Sequence, residues 1–519
     1  ERFFHVVYKL LNTKYNLYTM KKTITGLQSF CREKGFVFPN SILYGGNGLA
    51  GVWDYGHIGA EMKNNIKSSW WTHFVYRNEK IIGIDASILS KKEVWDASGH
   101  TQNFVDVIVK CKKCNASFRA DHLIEDILDI AADGYDAEKI NGIVKKEKIK
   151  CPTCKGELDK ARPFNLLFET NVGPIASEKS KAIMRPETAQ LIFSNFKSVQ
   201  TSSRKKMPFG IAQIGRAYRN EISPRNFLFR CREFEQMEIE FFFDPNDKAC
   251  EFEDIPQMLK EKIFACTEEM QRKESKEKEY TFDKLIKEKI IKDKWLAYWV
   301  WQYIAWFEKI GIKRENLRIR QHLSEELSHY SSQTFDIEYR FPFGFKEIVG
   351  IANRGQFDLK AHQKASGHSQ EIINNDEKKT IPYCIEPSSG LDRIFLALLF
   401  EGADTFKDER GEDYTIMHLK KSISPVKIAV MPLVNKLKNF AKEIYNDILE
   451  LEVNTQYDTA GSIGRRYARQ DEIGTPFCIT IDYESLEDKC VTIRERDTKK
   501  QERIKIKNLC DELKKRLNN

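Results

Sequence analysis

Arg219, Asn220 and Glu221, followed by Arg230, Arg232, Glu233, Phe234, Glu235 and Glu238, gather guanidinium, carboxylate and aromatic groups into about twenty positions of the sequence. Positions two apart on a strand share a face, so Arg219 and Glu221 would point together, as would Arg230, Arg232 and Phe234 on a partner strand. Such a face suits a nucleoside triphosphate, with guanidinium groups for phosphate oxygens, a ring to stack on the base and a carboxylate to accept from an exocyclic amine. The same spacing also fits a surface ladder of cross-strand ion pairs. A second stretch, CIEPSSGLDRIFLALLF, sets Glu386 and Ser388 before a turn at Gly390, with Arg393 in the first turn of an apolar helix. A helix N-terminus beside an arginine favours an anion, although this arrangement is also a common cap.

Cys111-Lys-Lys-Cys114 and Cys151-Pro-Thr-Cys154 have the spacing of two metal-binding turns, and four thiolates would complete a closed tetrahedral zinc site with no open position for catalysis. The 36 residues between the pairs exceed the usual ribbon spacing, so a helix is expected between them; free thiols are the alternative. Of the twelve cysteines, Cys31, Cys231, Cys266 and Cys384 stand singly in apolar surroundings, the usage of a reducing compartment rather than a disulfide framework. His100 and His322 read as structural.

These groups need elements to position them. Gln213 to Asp244 reads as a long antiparallel hairpin, two strands around a polar loop with Pro224, the second ending in Phe241–Phe243. Glu61 to Arg77 has Ile66, Trp70 and Phe74 at helical spacing, and the isoleucine-rich IIGIDASIL after it reads as a strand. Residues 271–294 are so charged that a solvated helical insertion is expected, whereas WLAYWVWQYIAWFEKIG reads as a buried helix. After Ser424, VKIAVMPL, NKLKNFAKEIYNDILE, FCITID and VTIRER alternate as strand, helix, strand and strand, the pattern of an α/β domain. At about 150 residues per domain, 519 residues allow two to four domains and exclude a single small module. No apolar run approaches the roughly 18 to 20 residues of a membrane span, and a net charge of +8 is too small to mark a nucleic-acid binder. Residues 1–19 precede Met20, a natural starting point, and are read as an extension or expression remnant, with a cleaved targeting peptide as the alternative.

The stretches GRAYRNEISPRNFLFRCREFEQMEIEFF and GLDRIFLALL resemble motifs 2 and 3 of class II aminoacyl-tRNA synthetases. With FNLLFET, MRPETAQLIF and GIANRGQFDL they resemble the homodimeric glycyl-tRNA synthetases from about Gly26 to the end of the chain. The resemblance implies a fold: an α+β catalytic domain (residues 20–423) built on an antiparallel sheet flanked by helices. It also implies a four-cysteine zinc insertion (105–162), a helical insertion between motifs 2 and 3 (245–330) and a C-terminal α/β anticodon-binding domain (424–519). Motif 1, placed at Glu61 to Ser90, lacks its characteristic proline, and His57 stands where similar synthetases have proline, so dimerisation follows from the family alone.

Carried onto this chain, the resemblance assigns Arg219 to bridging the amino-acid carboxylate and the ATP α-phosphate, and Glu221 to the adenine amino group. Phe234 would lie under the adenine, and Arg230 and Arg393 would hold the terminal phosphates. The wider ATP set is Asn220, Phe229, Arg232, Glu347, Ile348, Gly390, Leu391 and Asp392. Around the glycine the resemblance puts Arg119, Glu187, Glu238, Glu386 and Ser388, with Phe234, Glu235, Gln236, Met237 and Gly390 beside them. Arg465, Arg466 and Arg469 are candidate tRNA contacts, and a solvated loop and helix start is the plainer reading of the same residues. The implied reaction is ATP-dependent attachment of glycine to tRNA(Gly) through glycyl-adenylate, with Mg²⁺, in a cytoplasmic homodimer. The alternatives are a synthetase for another small amino acid and a non-catalytic synthetase-like nucleic-acid-binding subunit. Glycine needs no editing domain, because every competitor is larger and is rejected sterically.

Overall fold

The computed structural model describes residues 23–518 apart from 47, 131, 133, 248–249, 251, 253 and 408–412, so the reading of residues 1–19 lies outside the described residues. One unit, Phe38–Asp54 with Ile66–Ala397, is built on a nine-stranded sheet. Its strands are β1 (Ile81–Gly83), β2 (Phe209–Tyr218), β3 (Glu233–Phe243), β4 (Lys262–Cys266), β5 (Lys278–Thr281), β6 (Leu317–Gln321), β7 (Gln333–Phe341), β8 (Gly344–Gly355) and β9 (Tyr383–Gly390). They lie in the order β5-β4-β6-β7-β8-β9-β3-β2-β1, antiparallel except for β1 on β2 and β4 on β6.

Alternation along β3 divides the labour between the faces. Phe242 packs with Phe193 and Phe196 of α1 (Ala189–Ser203), whereas Phe241 and Phe243 pack on Trp295 and Trp299 of α2 (Lys294–Ile310). A strand covered on both sides needs apolar residues at both parities, which is why EFFF ends the run. Helix α2 carries twelve buried residues around its circumference, as a helix enclosed by its unit should. Each such fully buried large side chain contributes about 1.5–3 kcal/mol. The residues of β3 on the Phe242 side but nearer its start, Phe234, Gln236, Glu238 and Glu240, are polar or charged apart from Phe234, and the first three line the floor of the site. Helices α3 (Phe357–Ser366) and α4 (Leu391–Gly402) follow β8 and β9.

Residues 105–165 carry a three-stranded sheet (Val105–Lys110, Ser117–Arg119, Arg162–Asn165) and two helices, Ala120–Leu128 and Ala137–Lys146, around a small core of Val109, Leu123, Ile124 and Ile140. Two helices thus fill the spacer between the cysteine pairs.

The other unit comprises, among described residues, 23–37, 55–65 and 398–518. Its five-stranded sheet holds β10 (Ile428–Pro432), β11 (Thr455–Tyr457), β12 (Phe477–Ile481), β13 (Cys490–Glu495) and β14 (Gln501–Lys505) in the order β11-β10-β12-β13-β14. Helix α5 (Lys438–Leu449) lays Ala441, Ile444 and Ile448 on this sheet, and α6 (Ile463–Ile473) follows β11.

Three expectations are corrected. The 245–330 stretch is not a helical insertion, because β4, β5 and β6 extend the main sheet. The charge of 271–294 that suggested a solvated helix includes an edge strand: β5 pairs Glu279 with Lys262 at 2.9 Å, and charged side chains are how an edge strand avoids adding another chain. Second, Glu386-Pro-Ser-Ser-Gly390 is not a turn but the end of β9, running directly into α4. Third, of IIGIDASIL only Ile81–Gly83 is a strand, and the last residue of the run, Leu89, opens a second after a break, Leu89–Lys91.

Candidate active site

The hairpin pairs as expected, Gln213 with Glu238 and Tyr218 with Glu233, but its strands stop at Tyr218 and resume at Glu233. Arg219, Glu221, Arg230 and Arg232 therefore lie in the connecting loop, and strand alternation does not govern them. The loop is pinned by its backbone: the Arg219 N–H donates to Arg232 O at 2.9 Å and the Asn220 N–H to Leu166 O at 2.8 Å.

Where alternation does hold, it builds a floor. Gln213, Glu238, Ser388, Gly350 and Asp336 are successive partners across β2, β3, β9, β8 and β7. Gly350 keeps the middle of this row low: a Cβ there would lie 3.5 Å from Glu347 Oε1 and 3.8 Å from Asp336 Oδ1, so the two carboxylates converge over it. The cleft above is lined by Arg219, Glu221, Phe229, Arg230, Phe234, Glu347, Gly390, Asp392 and Arg393, and at its deeper end by Glu187, Gln236, Glu238, Glu386 and Ser388.

Of the three cleft arginines, Arg219 and Arg230 are held by few protein acceptors, whereas Arg393 also meets Glu347 O at 3.1 Å. Arg219 donates from Nε to Pro186 O at 3.0 Å and lies against Phe104 and Phe234, 5.3 and 5.1 Å from the ring centroids. Arg393 donates to Phe229 O at 3.1 Å and to Glu347 Oε2 at 2.8 Å, 4.4 Å above the Phe229 ring. Arg230 donates to His122 Nε2 at 3.3 Å. Burial pushes its guanidinium down and Glu221 pulls it up. The His122 imidazole is lowered to about 3, by burial first and by Arg119, Arg225 and Arg230, so it is neutral and can accept.

The deep end is acidic and buried. Burial would raise Glu187, but His100, 3.3 Å away, and Arg354 and Arg219 hold it well below the usual carboxylate range. Glu386 is raised well above it, by burial and by Glu238 and Glu187, against the Arg354 guanidinium at 2.8 Å. Glu238 is also raised, by burial and Glu187, while the Thr188 and Ser388 hydroxyls favour its charged form. Gln236 donates to Ser388 Oγ at 3.2 Å, and among the described residues its buried Oε1 has no partner. A pocket of carboxylates with an orphan acceptor fits a small ammonium ion.

Several expected residues do not line the cleft. Met237, Ile348 and Leu391 are fully buried, Met237 because odd positions of β3 face the other way. Glu235 shares that parity; it pairs with Lys67 at 3.3 Å, and its N–H donates to Asp392 Oδ2. Asn220 is outside the lining, and Arg232 latches Glu221 O and Ala50 O, each at 3.0 Å. Arg119 is engaged by Asp121 at 2.7 Å and Asp106 at 3.2 Å. Conversely, His322, Ser328, Tyr330, Thr334 and Asp336 line the cleft without having been singled out as site residues, His322 having been read as structural. His322 meets Asp336 at 2.9 Å and is raised despite burial, chiefly by that carboxylate. The period-2 pattern of Thr334 and Asp336 on β7 was the available signal.

Cys111, Cys114, Cys151 and Cys154 bring their sulfurs within 4.8 Å of one another. The two turns match: Asn115 and Lys155 both have φ 59°, their N–H groups donate to Cys111 O and Cys151 O, and the Cys111 and Cys151 N–H groups donate to Ala116 O and Gly156 O. A Cβ on Gly156 would lie 3.2 Å from two of the sulfurs, so only glycine leaves room there. The donor set and its convergence fit a zinc ion.

Of the candidate tRNA contacts, Arg465 is exposed, whereas Arg466 is buried and donates to Pro432 O, Gly461 O and Asp458 O. Arg466 is thereby corrected: its donors are spent on the fold. Arg469 is tied to Asp458 at 2.7 Å.

The family model for the tRNA synthetase class II core domain (G, H, P, S and T) matches residues 168–402, and that for an anticodon binding domain matches 427–516. Among curated relatives, a glycine--tRNA ligase of Clostridium kluyveri is 44% identical over 508 residues, covering 96% of this chain and 99% of the relative. One from Caldanaerobacter subterraneus subsp. tengcongensis is 46% identical over 494 residues, 94% and 97% of the two chains. One from Alkaliphilus oremlandii is 43% identical over 506 residues, 96% and 99%.

Proposed function

The chain belongs to the glycine--tRNA ligase family, a class II aminoacyl-tRNA synthetase that attaches glycine to tRNA, and from that premise we propose how its cleft performs the reaction. The observation that carries the proposal is the polarity of one cleft, guanidinium groups at the open end and buried carboxylates at the deep end. ATP lies at the open end, with adenine on Phe234 and its amino group at Glu221; Arg230 and Arg393 hold the phosphates. Glycine lies at the deep end, its ammonium among Glu187, Glu238, Glu386 and Ser388.

Glycine's carboxylate is already ionised, so no general base is required for its attack on the α-phosphorus. Arg219, between the two ends, aligns carboxylate and α-phosphate and offsets the charge that grows there; pyrophosphate leaves toward Arg230 and Arg393. The terminal ribose hydroxyl of tRNA(Gly) then displaces AMP. Glu347 and Asp336, converging over Gly350, would hold Mg²⁺, which when bound supplies positive charge to phosphate oxygens. The four cysteines would hold a structural zinc. Residues 427–516 would bind the anticodon arm, with Arg465 as a contact. A homodimer is proposed from the family, and a cytoplasmic setting is supported by twelve cysteines without a disulfide. No helix among the described residues is long and apolar enough to cross a membrane.

ATP–pyrophosphate exchange tests the assignment. Glycine should drive it, serine, threonine and proline should not, and Glu187→Ala should raise the glycine KM far more than the ATP KM. Exchange driven by one of the larger amino acids, or an unchanged glycine KM in the variant, would overturn the pocket assignment.

A further inference from the structure

Behind the two glutamates assigned to the ammonium stands a third. Glu240 is fully buried on the same parity of β3 as Glu238, and one oxygen from each of Glu238, Glu240 and Glu386 lies within 4.8 Å of the others. The Cys384 thiol donates to Glu240 Oε2 at 2.9 Å, but among the described residues Oε1 has no hydrogen-bond partner. The cation that acts on Glu240 is directed to other carboxylates: Arg354 gives Nε and Nη2 to Asp358 at 2.7 and 2.8 Å and Nη1 to Glu386 at 2.8 Å. The groups facing Glu240 are therefore Glu386 and Cys384 from β9, Glu238 from its own strand and Arg354 from β8, with Asp358 of α3 sharing that arginine; Glu187, before α1, is held by His100. Buried carboxylates this close repel one another when ionised, which favours a proton among them, and a buried carboxylate oxygen without a donor is costly.

We propose that Glu240 is a proton-holding positioning residue: in the empty site its carboxyl carries a proton that it presents to Glu238 and Glu386, and glycine's ammonium displaces that proton to solvent. One positive charge enters as another leaves, so the net charge of the carboxylate cluster is the same in both states. This rests on the assignment of Glu238 and Glu386 to the ammonium. Burial and the two neighbouring carboxyls both push Glu240 upward, so below its shifted pKa the proton is present and available for release.

Isothermal titration calorimetry of the full chain, in buffers of differing ionisation enthalpy, counts the protons. A non-hydrolysable glycyl-adenylate analogue should release about one proton near pH 7, and the same adenosine sulfamate without its glycyl group none. Glu240→Gln, whose amide mimics the protonated acid permanently, should bind the glycyl analogue within about tenfold of the parent and release no proton. Cys384→Ala, which removes the thiol's hydrogen bond to Oε2, should move the pH range of release upward. Buffer-independent enthalpies for the parent chain, or unchanged release from Glu240→Gln, would overturn the proposal. Parent chain that prefers the glycyl analogue yet releases nothing would leave the site assignment standing. A Glu238→Gln variant that keeps that preference undiminished would instead strike the assignment itself.

Discussion

Two sets of arginines in this chain look alike in sequence and are used in opposite ways. In the C-terminal unit Arg494 forks onto Asp471 at 2.8 and 2.9 Å, and Arg496 donates to Gly474 O, Leu419 O and Asp497. Arg466 ends on three backbone carbonyls. In the cleft, Arg219 makes one hydrogen bond to a carbonyl and otherwise touches rings. The difference lies in where the donors end. A guanidinium whose N–H groups all find protein acceptors is part of the fold, whereas one parked on a carbonyl and an aromatic face keeps donors for a ligand.

The largest effect should come from breaking a filled fork. Asp471 is completely buried and is also bound by Tyr414 Oη at 2.5 Å, so Arg494→Ala leaves a carboxylate in the interior with its main counter-charge gone. The cost should be about 3–5 kcal/mol. Calorimetry should show the C-terminal transition moving down while glycine-dependent exchange at low temperature stays within about twofold of the parent. An unmoved transition would mean that filled donors do not mark a structural arginine.

Arg219→Ala should give the converse. Loss of a group aimed at charge that develops in the transition state costs about 10²–10³-fold in rate, near 2.7–4 kcal/mol, so adenylate formation should fall by that factor. Thermal stability should barely change, since only one hydrogen bond to the fold is lost. A large drop in melting temperature with exchange intact would reverse the assignment of the two sets.

How far the sequence exposes this division depends on the element. The hairpin was readable because Pro224 breaks an alternating run and EFFF ends it, and the loop arginines reached the cleft even though strand parity was the wrong reason for them. The charged stretch at 271–294 misled because an edge strand protected by charge and a solvated helix have the same composition. Asp336, Tyr330 and Thr334 lie on or just before β7, far from the hairpin in sequence, and only the pairing of β7 with β8 and of β8 with β9 brings them to it. The resemblance places Met237 and Glu235 beside the glycine with Gln236, whereas period 2 turns both away from the cleft. Helix α6 was opaque for another reason: its buried face is Arg466, Gln470, Asp471 and Ile473, mostly polar, so the usual apolar stripe that announces a buried side is missing.

That helix supplies the smallest and sharpest test, because Arg465 and Arg466 are adjacent and fall on opposite sides of the division. A step of one residue turns a helix by about 100°, so the Arg466 face meets the carbonyls of Pro432 and Gly461 while Arg465 stays exposed. Arg465→Ala therefore removes a charge with no protein partner among the described residues and should alter stability by less than about 0.5 kcal/mol. It should leave exchange untouched and weaken tRNA only modestly, reducing the slope of log affinity against log salt by about one. Filter binding across a salt series measures that slope directly. If it is unchanged, Arg465 is a solvated surface residue and the anticodon-arm contact must be sought elsewhere on the same unit.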